Sequence, residues 1–130
     1  MEPIVIHGDS ATLYKGADGV IAKVLVDAES CGAENLAFGH ISFAPGSKVP
    51  PHTRDVEEFI YVLEGTATIL ACGTKYILGP GDAIYMPAGT EHQHVNEDSD
   101  TTLRQIYIFA PPGPEKGVKA WPAATDDDLL

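Results

Sequence analysis

The sequence predicts an all-β fold, a barrel or sandwich of short strands with few or short helices. Three observations carry that prediction. Glycine and proline, 13 and 10 residues, break the 130-residue chain at short intervals. The runs between them are rich in Val, Ile, Tyr, Phe and Thr, residues that suit a pleated, half-buried surface. No segment shows a long apolar stripe at helical spacing.

Taken in order, Ile4–Ile6 is a short β-branched run and an expected strand. Gly19–Val26 is the next. Leu36–Phe43 follows and is closed by Ala44-Pro45-Gly46. Glu58–Leu63 ends at the Glu64-Gly65 turn, and Thr66–Cys72 returns as its hairpin partner. Lys75–Leu78 stops at Gly79-Pro80-Gly81. Ala83–Met86 precedes Pro87, and Glu91–Val95 and Thr102–Phe109 complete the set. Ala110-Pro111-Pro112-Gly113-Pro114 cannot continue a central strand. The remainder is expected to be a strap over the barrel, anchored by Trp121. No linker or repeat divides the chain. It is expected to be one domain over 1–130, with a core at about 20–110, N-terminal strand material at 1–19 and the strap at 111–130.

Charge narrows the partners. The net charge is −11, without a basic stripe. An acidic surface repels phosphate backbones and anionic head groups, so neither nucleic acid nor a membrane is expected as a partner. Glu97, Asp98 and Asp100 are expected in a loop, and Asp126, Asp127 and Asp128 in a solvated tail. No apolar run reaches bilayer length, and MEPIVIHGDS lacks the blocks of a signal peptide, so the expected location is cytoplasmic. Cys31 and Cys72 form no Cys-x-x-Cys pair and are expected to be free, small buried hydrophobes.

The chemistry concentrates in two glycine-bounded segments, Gly46–Gly65 and Gly81–Asn96. Side chains alternate faces along a strand. If His52 points inward, Arg54 does too. Glu58, Ile60 and Val62 share one face, and His92, His94 and Asn96 share another. A closed sheet brings such inward faces together. Two imidazoles and a carboxylate from three strands then form the arrangement that suits Fe(II) and leaves coordination positions open. A carboxylate flanked by Phe59, Ile60 and Tyr61 is costly to bury unless paired or coordinated.

These segments resemble the two motifs of the cupin superfamily. Gly46, His52, Glu58 and Gly65 match the spacing of the first, and Gly81, Pro87, Gly89, His92 and Asn96 match the second throughout. The resemblance implies a small single-domain cupin, a jelly-roll β-barrel of two antiparallel sheets. It implies one divalent transition metal per chain, with Fe, Mn, Ni, Co and Zn not distinguished, held by His52, Glu58 and His92. It also implies a homodimer in which an N-terminal strand such as Ile4–Ile6 adds to the neighbour's sheet.

One position departs from the motif. Arg54 stands where the first motif carries its second histidine, and a guanidinium offers no lone pair to a metal. Three readings stay open. The metal sits on His52, Glu58 and His92 alone, with Arg54 acting on an anionic substrate. Alternatively His94 supplies the missing nitrogen. In the third, Arg54 pairs with Glu57 or Glu58 and the site is metal-free.

The remaining candidates are weaker. His94 is a pocket residue or a fourth ligand. His40 is a pocket candidate set against a structural role, and His7 is expected on the surface. Tyr61, Tyr85, Tyr107 and Phe109 are expected in the core, Arg104 in a surface cross-strand pair, and Asn96 in the turn after the ligand strand. The resemblance implies a metal-dependent enzyme on a small oxygenated, anionic molecule, of dioxygenase, decarboxylase, isomerase or lyase type, with Arg54 as the catalytic cation. The alternative is a non-catalytic cupin that binds a small ligand or sugar, with or without metal.

Overall fold

A computed structural model describes residues 2–129. Its strands are β1 (Tyr14–Lys15), β2 (Val20–Val26), β3 (Ala37–Phe43), β4 (His52–Thr53), β5 (Glu57–Glu64), β6 (Ala67–Ala71), β7 (Thr74–Leu78), β8 (Ala83–Met86), β9 (Glu91–Val95) and β10 (Leu103–Ala110). The helices are short: α1 (Ala28–Cys31) and α2 (Glu115–Lys119), with single 3-10 turns at Gly8–Ser10 and Asp126–Leu129. Met1 and Leu130, the ends of the expected N-terminal and strap segments, lie outside the described residues.

The strands pair antiparallel in two sheets, ordered β1-β2-β3-β10-β5-β8 and β4-β9-β6-β7. The sheets face each other as a jelly-roll barrel. Alternation in the sequence fills the space between them. Val20, Ala22 and Val24 of β2 point in, as do Ile60 and Val62 of β5 and Leu103, Tyr107 and Phe109 of β10. Phe43, Ile60, Ile69 and Leu103 are each at most 1% exposed. Full burial of such a side chain contributes about 1.5–3 kcal/mol. The motif glycines Gly46, Gly65, Gly81 and Gly89 all sit at positive φ, where the chain reverses.

Local sequence explains the ends of elements. The Asp27 side chain accepts from the Ser30 amide at 2.7 Å and the Ser30 hydroxyl accepts from the Asp27 amide, a reciprocal cap that starts α1. Gly39 has a different task. A Cβ there would lie 2.0 Å from the Lys23 carbonyl oxygen and 2.5 Å from the Tyr107 hydroxyl. Its absence lets the buried Tyr107 hydroxyl donate to the Lys23 carbonyl at 3.0 Å.

The C-terminal segment runs beside the N-terminal one. The Lys15 amide donates to the Pro122 carbonyl at 2.8 Å, and the Ala124 amide to the Leu13 carbonyl at 2.7 Å. Trp121 packs against the main core and against a smaller cluster of Ala22, Val24 and Val118, its ring lying where a Cβ on Gly16 would come within 2.7 Å. Lys119 reaches back to Asp27 at 2.6 Å and tethers α2 to the start of α1.

Several expectations are corrected. Ile4–Ile6 is in neither sheet, and Ile4 and Val5 are exposed. A β-branched run without a partner in the chain does not become a strand. The N-terminal strand is instead Tyr14–Lys15, paired with Ala22 and Ile21. Tyr61 and Tyr85 lie on the outer face of the β5–β8 pair, where Tyr85 donates to Glu57 at 2.6 Å. Only Tyr107 and Phe109 of the four named aromatics are core. Cys31 and Cys72 are unpaired but not buried; Cys72 is an exposed hairpin residue at φ 53°. Asp128 is no solvated tail, since it holds Lys15 at 2.8 Å.

Candidate metal centre

Three strands from the two facing sheets build the site. His52 of β4 and His92 of β9 are direct cross-strand partners. His94 follows on the same inward face of β9, and Glu58 faces them from β5 with 3% exposure. The ring centroids lie 4.4 Å apart for His52–His92, 4.9 Å for His92–His94 and 5.5 Å for His52–His94. One donor atom from each of His52, Glu58, His92 and His94 fits within 4.8 Å of all the others.

Backbone carbonyls orient two of the rings. His52 Nδ1 lies 2.9 Å from the Pro50 carbonyl, and His92 Nδ1 lies 2.9 Å from the Thr90 carbonyl. A carbonyl can only accept, so each Nδ1 carries the hydrogen and each Nε2 keeps its lone pair. His92 Nε2 then faces Glu58 Oε1 at 3.4 Å, and both atoms are buried without a hydrogen-bond partner among the described residues. In the neutral ring these are two bare acceptors confronting each other, a pair that calls for a cation between them, a metal ion or a proton. His94 Nε2 stands 3.1 Å from Glu58 Oε2, with its Nδ1 buried and unpartnered. Buried polar atoms are ordinarily satisfied, so this cluster fits a metal ion.

With a proton in that place the electrostatics are those of an ion pair. Burial opposes charge on Glu58, but His92 and His94 outweigh it and hold the carboxyl well below the usual carboxylate range. Burial, with Arg54 beside it, pushes His52 down to about 4 against the pull of the Pro50 carbonyl. Burial would also lower His92, but the Glu58 carboxylate and the Thr90 carbonyl raise it overall.

Arg54 is beside the cluster and outside the donor set. Its Nε lies 4.0 Å from Glu58 Oε1, and its guanidinium carbon sits 5.7 Å from the Phe109 ring centroid. The Nε itself has no partner among the described residues. His40 is not brought to the site. It shares the outer face of β3 with neighbours Lys23 and Ile106, and burial together with Lys23 and Arg104 lowers its pKa. Asn96 serves the turn, its amide donating to the Phe43, Ala44 and Thr101 carbonyls. Arg104 pairs with Glu64 at 3.1 Å on the surface.

His52, Glu58 and His94 of the cluster form part of the wall of a cavity of about 530 Å³. That is ordinary for a small-molecule site. Ile41, Phe43, Ile60, Tyr107, Phe109 and Trp121 make most of its surface apolar, while the exposed Pro50, Pro51 and Pro122 mark its rim. Sequence reasoning missed one member, Gln105, which lines the cavity at 1% exposure. Its signal was available: it shares parity with Leu103, Tyr107 and Phe109 and is the polar residue among them.

The chain is similar to several known proteins. It is 37% identical over 71 residues to the β-conglycinin alpha' subunit of Glycine max, covering 52% of this chain and 11% of that protein. It is 28% identical over 102 residues to the tetracenomycin polyketide synthase protein TcmJ of Streptomyces glaucescens, covering 76% of this chain and 68% of that one. The structure resembles the polyketide cyclase RemF of Streptomyces resistomycificus at TM-score 0.73 and 26% identity, covering 88% of this chain and 82% of that one. The chain thus spans only about a tenth of the first of these relatives. The Cupin domain family matches residues 39–109, more than half of the sequence and the whole span that carries the donor cluster. By its fold, its motifs and that match, the chain belongs to the cupin family.

Proposed function

We propose that this protein is a metal-dependent cupin enzyme acting on a small oxygenated, anionic organic molecule. His52, Glu58 and His92 would hold one divalent transition metal, with His94 completing the set in place of the imidazole that Arg54 displaces. The single observation that carries this reading is the buried pair of unpartnered acceptors, Glu58 Oε1 and His92 Nε2, within a four-residue donor set. A bound metal would supply Lewis acidity toward a substrate oxygen.

The chain's own residues do the rest. The Arg54 guanidinium, whose residue lines the cavity, would donate to the carboxylate or enolate oxygen of the substrate. The apolar walls exclude water and so strengthen that contact. Dioxygenase, decarboxylase, isomerase and lyase chemistry all begin from such an anchored anion. The likeness to a polyketide synthase protein and a polyketide cyclase supports a carbon-skeleton substrate. Free Cys31 and Cys72 support a reducing, cytoplasmic setting, and exposed Tyr61, Leu63 and Tyr85 support a homodimer. Light scattering at the monomer mass of 13.8 kDa would contradict the dimer.

The test is elemental analysis of purified protein. About one equivalent of transition metal is expected, or its uptake on incubation, with loss in a folded Glu58→Ala variant. Protein that neither carries nor takes up metal refutes the reading. That result would favour a metal-free ligand-binding cupin, to which the guanidinium 4.0 Å from Glu58 lends support because it opposes a divalent cation.

A further inference from the structure

His52 sits on a weakly held part of the sheet. Its strand, β4, is two residues long and lies at the edge of the four-stranded sheet, paired with β9 alone. Just before it, Pro50 and Pro51 bring no N–H to the ladder. The pairing also slips there. Lys48 opposes Val95 and His52 opposes His92, four residues on one strand against three on the other. One extra residue makes a bulge, which bends the strand that carries it and re-aims its side chains. A ring on such a segment needs another hold to keep its aim.

Gln93 supplies that hold. The Val49 amide donates to the His94 carbonyl at 3.2 Å, and Gln93 Nε2 donates back to the Val49 carbonyl at 3.0 Å. A carbonyl only accepts, so the amide nitrogen of Gln93, and not its oxygen, must face Val49. Val49 is thereby held by both of its backbone groups immediately ahead of the two prolines. The next carbonyl in the chain, that of Pro50, accepts from His52 Nδ1 at 2.9 Å. At the other end, the Gly89 amide donates to the Arg54 carbonyl at 2.7 Å. The segment 49–54 is pinned at both ends, and the fixed φ of its prolines stiffens the span between.

We infer that Gln93 is a positioning residue for His52: its side-chain bond to Val49 places the Pro50 carbonyl, and that carbonyl fixes the His52 ring with Nε2 free for the donor cluster. This rests on the proposed site insofar as His52 is taken as a ligand. Gln93 is no ligand itself. His92 and His94 take the inner face of β9, and Gln93 between them takes the outer one, beside exposed Leu70 of β6. It is only half-buried there, so packing alone does not ask for an amide. The hydrogen bond at one ring nitrogen decides which nitrogen keeps its lone pair. Without the Pro50 carbonyl in place, the hydrogen is free to move to Nε2 and block the donor.

Two measurements test this. The first is competition between the metal-free protein and a chromogenic chelator for Co(II). Gln93→Leu should weaken binding about tenfold, the loss that follows when the partner orienting a ligand is removed. Added to His52→Ala, it should weaken binding no further, because its effect passes through His52. Where Gln93→Leu does not fold, Gln93→Glu keeps the volume, sets an acceptor against the Val49 carbonyl and should show the same loss and the same dependence on His52. The second measurement needs no metal: nitrogen–proton correlation spectra of the imidazoles in chelated protein at about pH 8, above the range in which histidine ordinarily titrates. His52 should be the Nδ1–H tautomer in the parent and shift toward Nε2–H in the variant. Unchanged Co(II) affinity, an equal loss in the His52→Ala background, or a tautomer that the variant leaves in place would overturn the inference. A parent that takes up no Co(II) would refute the proposed site, and the tautomer would then decide the inference by itself.

Discussion

His92 Nε2 faces Glu58 Oε1 across 3.4 Å while the Thr90 carbonyl holds the other nitrogen of the ring at 2.9 Å. The ring cannot turn away without giving up that bond. Its lone pair is therefore aimed before any cation arrives, and the ordering cost of binding is correspondingly small.

Arg54 opposes such a cation from 4.0 Å beyond Glu58. Unit charges at ~4 Å interact by ~4 kcal/mol at an effective dielectric of 20, and a cation on the far side of Glu58 stands farther from Arg54 than that, so the repulsion is smaller. The Arg54 side chain is 32% exposed, so solvent screens much of that. Arg54→His should tighten divalent metal binding about tenfold, as read by competition with a chromogenic chelator. Unchanged or weaker binding would show that Arg54 does not oppose the metal.

Acid should destabilise the metal-free protein. His52 is held at about 4, below its ordinary 6.5, so the folded state resists the proton that the unfolded chain accepts. Its contribution is present above pH 6.5 and is lost as pH falls toward 4. Glu58 and Asp27, both lowered, act in the same sense below the ordinary carboxyl range. His92 is raised and acts oppositely, its contribution present below 6.5 and fading as pH rises through its folded value. Urea midpoints measured from pH 7 to 4 should fall, steepest below 6.5. A midpoint flat across that interval contradicts a neutral His52.

Asn96 is fully buried, and its side chain bonds the Phe43, Ala44 and Thr101 carbonyls and the Asp98 amide. Asn96→Ala should cost about 2–4 kcal/mol in denaturant titrations, because it orphans several buried groups at once. Asn96→Asp should fail similarly, since a carboxylate cannot donate to three carbonyls. A loss under 1 kcal/mol would mean that the turn holds without it.

Gly16→Ala should push the Trp121 ring, because a Cβ there would lie 2.7 Å from it. The protein has one tryptophan, so its emission reports the strap directly. A red shift and a stability loss of about 1–3 kcal/mol are expected. An unshifted spectrum would show that the strap accommodates the methyl.

Much of this was legible in the sequence because punctuation and alternation agreed. β8 and β9 run over the predicted residues, bounded by Gly81, Pro87 and Gly89. His52, Glu58 and His92 converge as their spacing implied, and His94 joins them. Ile4–Ile6 misled because propensity cannot supply a pairing partner. His40 could have been excluded by parity, since Gly39, Ile41 and Phe43 take the inner face of β3. Tyr61 and Tyr85 alternate with inward Ile60 and Met86 in the same way. Gln105 went unnoticed although its parity with Leu103, Tyr107 and Phe109 marked it as inward; that its amide oxygen lacks a donor shows only in the structure.

The three prolines at the cavity rim have a consequence for traffic. Pro50, Pro51 and Pro122 have rings that fix φ and no backbone N–H to reshuffle. An opening framed by such residues would resist reshaping at those three positions. Molecules would be sorted by breadth on arrival, and those too wide would be turned away however well they suited the chamber behind it.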